Sequence, residues 1–128
     1  MKKKLLVIDD EEGIREAFEL ALADSPIDVM TAASAETGIA AAKADRPDLI
    51  ILDIKMPEVD GIEALRRLHA YDPKLRICIL TAFAAEFMQP LQQAANDGLD
   101  FELVRKPLAA EQIREVAAAM LALNDPTT

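Results

Sequence analysis

Four apolar stretches in this chain each lead into a residue that can do chemistry. Leu5-Leu6-Val7-Ile8 runs into Asp9 and Asp10, Leu49-Ile50-Ile51-Leu52 into Asp53, and Ile77-Cys78-Ile79-Leu80 into Thr81, while a shorter stretch ending at Val104 leads to Lys106. A carboxylate that leaves a buried segment is costly unless it is paired, hydrogen-bonded or bound to a metal. Two carboxylates about 4 Å apart repel by roughly 4 kcal/mol at an effective dielectric near 20. Three of them on one rim would call for a divalent cation or for raised pKa values. Oxygen ligands with room left for water suit Mg²⁺. Lys106 adds a movable positive charge, and Thr81 a hydroxyl donor. Together these are the parts for phosphoryl transfer, which is catalysed mainly by positioning and charge neutralisation. Asp53 is the natural nucleophile, because a carboxylate can accept a phosphoryl group as an acyl phosphate.

Such a cluster needs elements that bring its members together, and the pattern of the chain supplies them. Strands are expected at 5–8, 27–31, 49–53, 76–80 and 102–104. The run at 49–52 lacks polar alternation, as in a strand buried on both faces. Between the strands, apolar residues recur at helical spacing: Ile14, Ala17, Phe18, Ala21 and Leu22, then a helix over 35–44 with Ser34 as its N-cap, then Ile62, Leu65 and Leu68 after Gly61. Phe87, Met88, Leu91, Ala94 and Ala95 form a fourth apolar stripe with Pro90 inside it. Proline is tolerated in a first turn, so the regular helix is expected to start near Gln89 and to stop at Gly98. Ile113, Val116, Ala117, Met120 and Leu121 make the last. Repeated strand–helix units imply a parallel sheet covered by helices on both sides. Ligands in such sheets bind at the carboxyl ends of the strands, which places Asp9, Asp10, Asp53, Thr81 and Lys106 on one rim.

Composition narrows the function. The 128 residues carry a formal charge of −9, and 52% are hydrophobic. That is one domain of ordinary size, and its acidity argues against direct binding to nucleic acid or to anionic lipid. The single cysteine, Cys78, reads as a core residue. The basic start at Lys2-Lys3-Lys4 is followed by too short an apolar core for a secretion signal or a membrane span, so a cytoplasmic location is expected. A domain over 1–123 and a polar tail over 124–128 are expected from the composition of the last residues.

Each site residue has a plainer reading when taken alone. Asp10 would cap the first helix, Asp53 would be a buried structural acid, Thr81 a β-branched strand residue, and Lys106-Pro107 the start of a helix. Holding all four readings at once is harder than accepting one shared site. Two rivals with the same layer order also fall short. A haloacid-dehalogenase-like phosphatase wants a second acid two residues after the nucleophile, and Lys55 stands there. A flavodoxin-like flavin carrier wants a Ser/Thr/Gly-rich phosphate loop after the first strand, where this chain has four acids.

Asp9-Asp10, Asp53 with Met56-Pro57 and Gly61, Thr81-Ala82 and Lys106-Pro107 together resemble the receiver domain of bacterial two-component response regulators. The resemblance covers nearly the whole chain. It implies an α/β fold of the flavodoxin-like kind: a three-layer doubly wound (βα)5 arrangement with five parallel strands in the order 2-1-3-4-5. It implies that Asp53 takes a phosphoryl group from the histidine of a sensor kinase or phosphotransfer protein. It implies Mg²⁺ held by Asp10 and Asp53, by Asp9 through water and by the backbone carbonyl of Lys55. Thr81 and Lys106 would contact the phosphoryl oxygens, and Ala82 would leave them room. The Lys106-Pro107 peptide would be cis. The domain would catalyse only its own phosphorylation and dephosphorylation, and would signal to a downstream protein or a fused output domain.

Two departures from the family fall on its signalling side. The aromatic residue usual three positions before the site lysine is Leu103 here, with Phe101 two residues earlier. The stretch from Thr81 to Lys106 is also longer than usual and contains Pro90. The phosphorylation chemistry is therefore expected to be intact while the switch differs, with Phe101 replacing the usual ring if a β-bulge shifts the register. The alternative is a receiver-like interaction module with a weakened or phosphorylation-independent switch. Lys55 and Phe83 flank the expected path of a hydrolytic water, either as modulators of phosphoryl loss or as plain surface side chains. His69 is expected to be an exposed helix residue, and Met30, Met88 and Met120 core fillers.

Overall fold

A computed structural model describes residues 3–55, 61–82, 85–106 and 108–121. Five strands and five helices alternate: β1 (Lys3–Ile8), α1 (Glu12–Ala21), β2 (Ile27–Ala32), α2 (Ala35–Ala44), β3 (Leu49–Asp53), α3 (Gly61–Tyr71), β4 (Ile77–Thr81), α4 (Ala85–Asn96), β5 (Glu102–Arg105) and α5 (Ala110–Met120). The strands form one parallel sheet in the order β2-β1-β3-β4-β5, as the resemblance implies. β3 and β4 are buried at every position because both their faces are covered.

Alternation along the strands sorts the core into two layers. Leu6, Ile8, Ile50, Leu52, Ile77 and Ile79 face the side packed by Ile39, Leu65, Leu68, Leu91 and Ala94, from α2, α3 and α4. Leu5, Val7, Leu49, Ile51, Cys78 and Leu80 face the side packed by Phe18, Ile113 and Ala117, from α1 and α5. Cys78 sits in that second layer, and burial pushes its thiol up to about 12, so it stays a neutral packing residue.

Local signals explain most boundaries. Ser34 caps α2, its Oγ accepting from the Thr37 N–H at 3.2 Å, and Thr37 completes a reciprocal capping pair. Gly98 ends the chain's exit from α4 at φ 88°, where its N–H donates to Ala95 O and that of Leu99 to Ala94 O. Asp10 does not cap α1. Glu11 occupies the N-cap, without a side-chain cap bond, and Asp10 is exposed.

The fourth helix departs from expectation. It starts at Ala85, not near Gln89, and carries Pro90 in its interior. Proline there removes the amide that would bond the Glu86 carbonyl, at a cost of up to about 3 kcal/mol. Burial of Leu91 and Ala94, together with partial burial of Phe87 against the same core layer, offsets that cost. Two side-chain expectations also fail. His69 is half-buried, and Met88 is 47% exposed, so it is not a core filler. Met30 and Met120 do pack against the core as half-buried residues.

Candidate functional site

The carboxyl ends of the central strands deliver their polar residues to one rim. Asp9 follows β1 directly, and its N–H bonds Ala32 O at 3.1 Å, continuing the β1–β2 ladder by one step. Its side chain is fully buried, with Oδ1 accepting from the Glu11 N–H at 2.9 Å, while Arg15 Nη1 donates to the Asp9 carbonyl at 2.7 Å. Asp53 is the last residue of β3, only 3% exposed, and its Oδ1 accepts from the Lys55 N–H at 3.2 Å. Thr81 ends β4 and is also buried. Lys106 stands one residue past β5, its backbone N–H bonded to Thr81 O at 2.9 Å.

Lys106 is the charge that holds the acids together. Its Nζ lies 3.2 Å from Asp53 Oδ1, 3.4 Å from Asp9 Oδ2 and 3.9 Å from Glu11 Oε1. Burial pulls the Lys106 pKa down, but Asp53 and Asp9 outweigh it and hold the ammonium above its usual range. Asp53 is pushed up to about 6, by burial first and by the Asp9 carboxylate second, against the opposing pull of Lys106 and the Lys55 amide.

Asp9, Asp10 and Asp53 each offer a carboxylate oxygen within 4.8 Å of the others. Among the described residues, Asp9 Oδ2 is the buried side-chain oxygen that lacks a hydrogen bond, although Lys106 stands beside it. Buried oxygens are rarely left so, and an all-oxygen set with one exposed member, Asp10, fits a small hard dication that keeps its own water. Lys55 is exposed at the edge of this group.

A cavity of ≈160 Å³ opens over Asp53, lined by Glu11, Ile54, Lys55, Thr81, Ala82, Phe87 and Lys106. Sequence reasoning brings together Asp9, Asp10, Asp53, Lys55, Thr81, Ala82 and Lys106, and the fold does the same. It missed Phe87 and Glu11. Phe87 reads as one member of an apolar helical stripe, and only the earlier start of α4 carries it to the strand ends. Glu11 reads as one more acid in a run of four. Phe83, Pro107 with its cis expectation, and Met56-Pro57 lie outside the described residues, as does the 124–128 tail.

Phe101 and Leu103 do not line this cavity. The β4–β5 register runs unbroken from Cys78↔Glu102 through Ile79↔Leu103 to Thr81↔Arg105, so no bulge lets Phe101 take the place of residue 103. Phe101 is half-buried ahead of β5, and Leu103 is 41% exposed on that edge strand.

Metal-free stability reports the crowding directly. A carboxyl whose pKa is higher in the folded chain than in the unfolded chain binds its proton more tightly when folded. Stability in EDTA is therefore expected to rise as pH falls from 7 through 6 towards 4. Asp53→Asn removes the penalty and is expected to raise the stability at pH 7.5 by on the order of 2 kcal/mol, with the difference closing by pH 4. Thermal unfolding of both proteins across that range checks it. Equal midpoints at pH 7.5 would mean that Asp53 is already comfortably ionised.

A doubly wound sheet with an acid set, a hydroxyl and a lysine gathered at its carboxyl rim defines a receiver module of two-component signalling. Sequence comparison gives the same class: the model of the response regulator receiver domain matches residues 5–118, and the chain belongs to that family. It is 35% identical over 123 residues to the alkaline phosphatase synthesis transcriptional regulatory protein PhoP of Bacillus subtilis, covering 94% of this chain and 49% of that one. Against the transcriptional regulatory protein AfsQ1 of Streptomyces coelicolor it covers 34% of the relative, so the chain spans half or less of these two regulators. The sporulation initiation phosphotransferase F of B. subtilis is 30% identical, with 97% of this chain and 98% of that one covered. Among solved structures, chemotaxis protein CheY4 of Vibrio cholerae superposes with a TM-score of 0.81 at 25% identity, over 94% of this chain and 99% of that one. A receiver domain protein from Methanospirillum hungatei reaches 0.83 at 24% identity with both chains fully covered, a likeness of fold. The chain is thus a receiver domain of a signalling system, and its likeness to these regulators does not favour the phosphorylation-independent alternative.

Proposed function

We propose that Asp53 is the phosphoacceptor of this receiver domain, taking its phosphoryl group from the phosphohistidine of a sensor kinase or phosphotransfer protein. One observation carries the reading: a nearly buried carboxylate at a strand end, 3.2 Å from a lysine ammonium, opening into a cavity beside Thr81 with two further acids within reach. An Asp53 oxygen attacks phosphorus in line, and the bond from phosphorus to the imidazole nitrogen breaks. The ring nitrogen keeps the electron pair, and Asp53 becomes an acyl phosphate. Lys106 turns from Asp9 and Asp53 towards the incoming oxygens, and the Thr81 hydroxyl donates to one of them. Ala82 is exposed and small enough to leave that approach open.

Asp10 and Asp53 would hold Mg²⁺, with Asp9 acting through water and the Lys55 carbonyl completing the protein ligands. The ion supplies neutralisation of the phosphoryl oxygens. The domain spans 1–123 with 124–128 as a polar tail, works in the cytoplasm, and catalyses only its own phosphorylation and dephosphorylation. None of the described helices is long and apolar enough to cross a membrane. An acidic surface suits a protein partner, either downstream or fused, better than nucleic acid.

Incubation with Mg²⁺ and acetyl phosphate is expected to add one phosphoryl group by mass, and Asp53→Asn to add none. Persistence of the adduct in Asp53→Asn would move the acceptor elsewhere.

A further inference from the structure

The cavity over Asp53 has an aromatic wall, and neither Phe101 nor Leu103 provides it. Phe87, in the first turn of α4, lines the cavity with Asp53, Thr81, Ala82 and Lys106. It is half-buried and also packs against the core layer that holds Ile79, Leu91 and Ala94. The next residue, Met88, faces a different space: a groove between α4 and β5 that it lines with Leu91, Phe101 and Leu103. Two neighbouring residues of one helical turn thus touch the site and the outer groove.

The turn that carries them is weakly tied. Pro90 has no N–H, so the carbonyl of Glu86 loses its i+4 partner, and the start of α4 is held by fewer internal bonds than a regular helix would have. Displacing that turn therefore breaks less than it would elsewhere.

We propose that Phe87 is the ring through which a phosphoryl group on Asp53 is sensed and passed to the α4–β5 groove, a role that rests on the function proposed above. A phosphoryl group brings oxyanions into a small space walled by this ring. The face of an aromatic ring carries partial negative charge, so an oxyanion against it is unfavourable while the ring edge is tolerated. The ring turns or withdraws, the first turn of α4 moves with it, and Met88 changes its distance from Leu103. The aromatic switch sits on α4 in this chain, and the exposed Leu103 belongs to the surface that reads it.

The chain contains no tryptophan, so Phe87→Trp and Leu103→Trp each carry a sole tryptophan, whose emission is separable from that of Tyr71 by excitation at the red edge. Both are first checked for folding by circular dichroism and for uptake of one phosphoryl group from acetyl phosphate. Addition of beryllofluoride with Mg²⁺, a phosphoryl mimic, is expected to change the emission of Phe87→Trp more than that of Leu103→Trp, and to change nothing when Asp53→Asn is added. A silent Phe87→Trp that still takes its phosphoryl group overturns the proposal. Phe87→Leu tests it without a bulky reporter. It keeps apolar volume but loses the ring, and is expected to accept the phosphoryl group while losing most of the mimic-induced change in amide exchange across Met88–Leu99. A wild-type exchange response in Phe87→Leu also overturns it. Should the wild-type chain take no phosphoryl group at all, the function proposed above fails and the switch falls with it. Phosphorylation without a response at residue 87 defeats the switch alone.

Discussion

Lys106→Met is expected to lower metal-free stability at pH 7.5 by roughly 3 kcal/mol, because removing one partner of a buried ion pair leaves uncompensated charge behind. The lysine ammonium lies within 3.4 Å of both Asp53 and Asp9. Methionine fills similar volume, so the loss is electrostatic and not a packing defect. The direction with pH follows. Without Lys106 the Asp53 carboxyl, already pushed up to about 6, rises further, and the folded chain binds a proton that the unfolded chain releases. The deficit therefore shrinks as pH falls through 6, the reverse of ordinary acid destabilisation. Adding Asp53→Asn to Lys106→Met removes one of the two repelling charges and is expected to restore most of the lost stability. Urea unfolding of the two single variants and the double variant in EDTA measures this. A gain from Asp53→Asn no larger in the Lys106→Met background than in the wild type would show that lysine and aspartate do not interact. In the same variants Mg²⁺ should stabilise Lys106→Met more than the wild type, since a dication substitutes for the missing ammonium.

The sheet and its rim were legible because their signals are local and redundant. Unalternating runs at 49–52 and 77–80 are what doubly covered strands require, and the polar residues ending them fall within one step of each other, Asp53 level with Leu80 and Thr81 one residue beyond. Ser34 and Gly98 mark helix ends by side-chain capping and a positive φ, both readable one residue at a time. The start of α4 was not legible. Proline's local penalty argues for a start near Gln89, but the burial that overrides it comes from strands far along the chain. Phe87 was hidden for the same reason, since its place in the site depends on where the helix begins. Leu103 could not be settled either. In an edge strand of four residues the alternation is too short to say which face is covered, and the absence of a bulge is a property of the register with β4. The crowding of acids was legible as a tendency. Its resolution by Lys106, shared between two carboxylates, needed distances.

Gly61→Ala tests whether the site is held by backbone packing as well as by charge. A β-carbon at Gly61 would lie 2.4 Å from Ile54 Cα, 2.6 Å from the Asp53 carbonyl oxygen and 2.8 Å from that of Ile54. All three are main-chain atoms at the end of β3, so none can swing aside as a side-chain tip could. Gly61 is also tied to them, its N–H donating to Ile54 O at 2.8 Å. An alanine must therefore push α3 off the strand end or drag Asp53 out of line. The expected loss of stability is about 3 kcal/mol, at the upper end for overpacking. The loss in acetyl-phosphate-dependent phosphorylation should be larger, about 100-fold, because a shift of about 1 Å at a nucleophile is enough for that. Gly13→Ala is the control: nothing lies within 4 Å of its β-carbon, and alanine inside α1 should gain up to about 1 kcal/mol with phosphorylation unchanged. Thermal unfolding and the mass assay on both variants separate the two contributions. If Gly61→Ala loses stability but keeps its phosphorylation rate, α3 yields and the strand end holds, and Asp53 is anchored by its own ladder alone. If both are lost together, the phosphoacceptor position is fixed by the approach of a helix that only glycine permits.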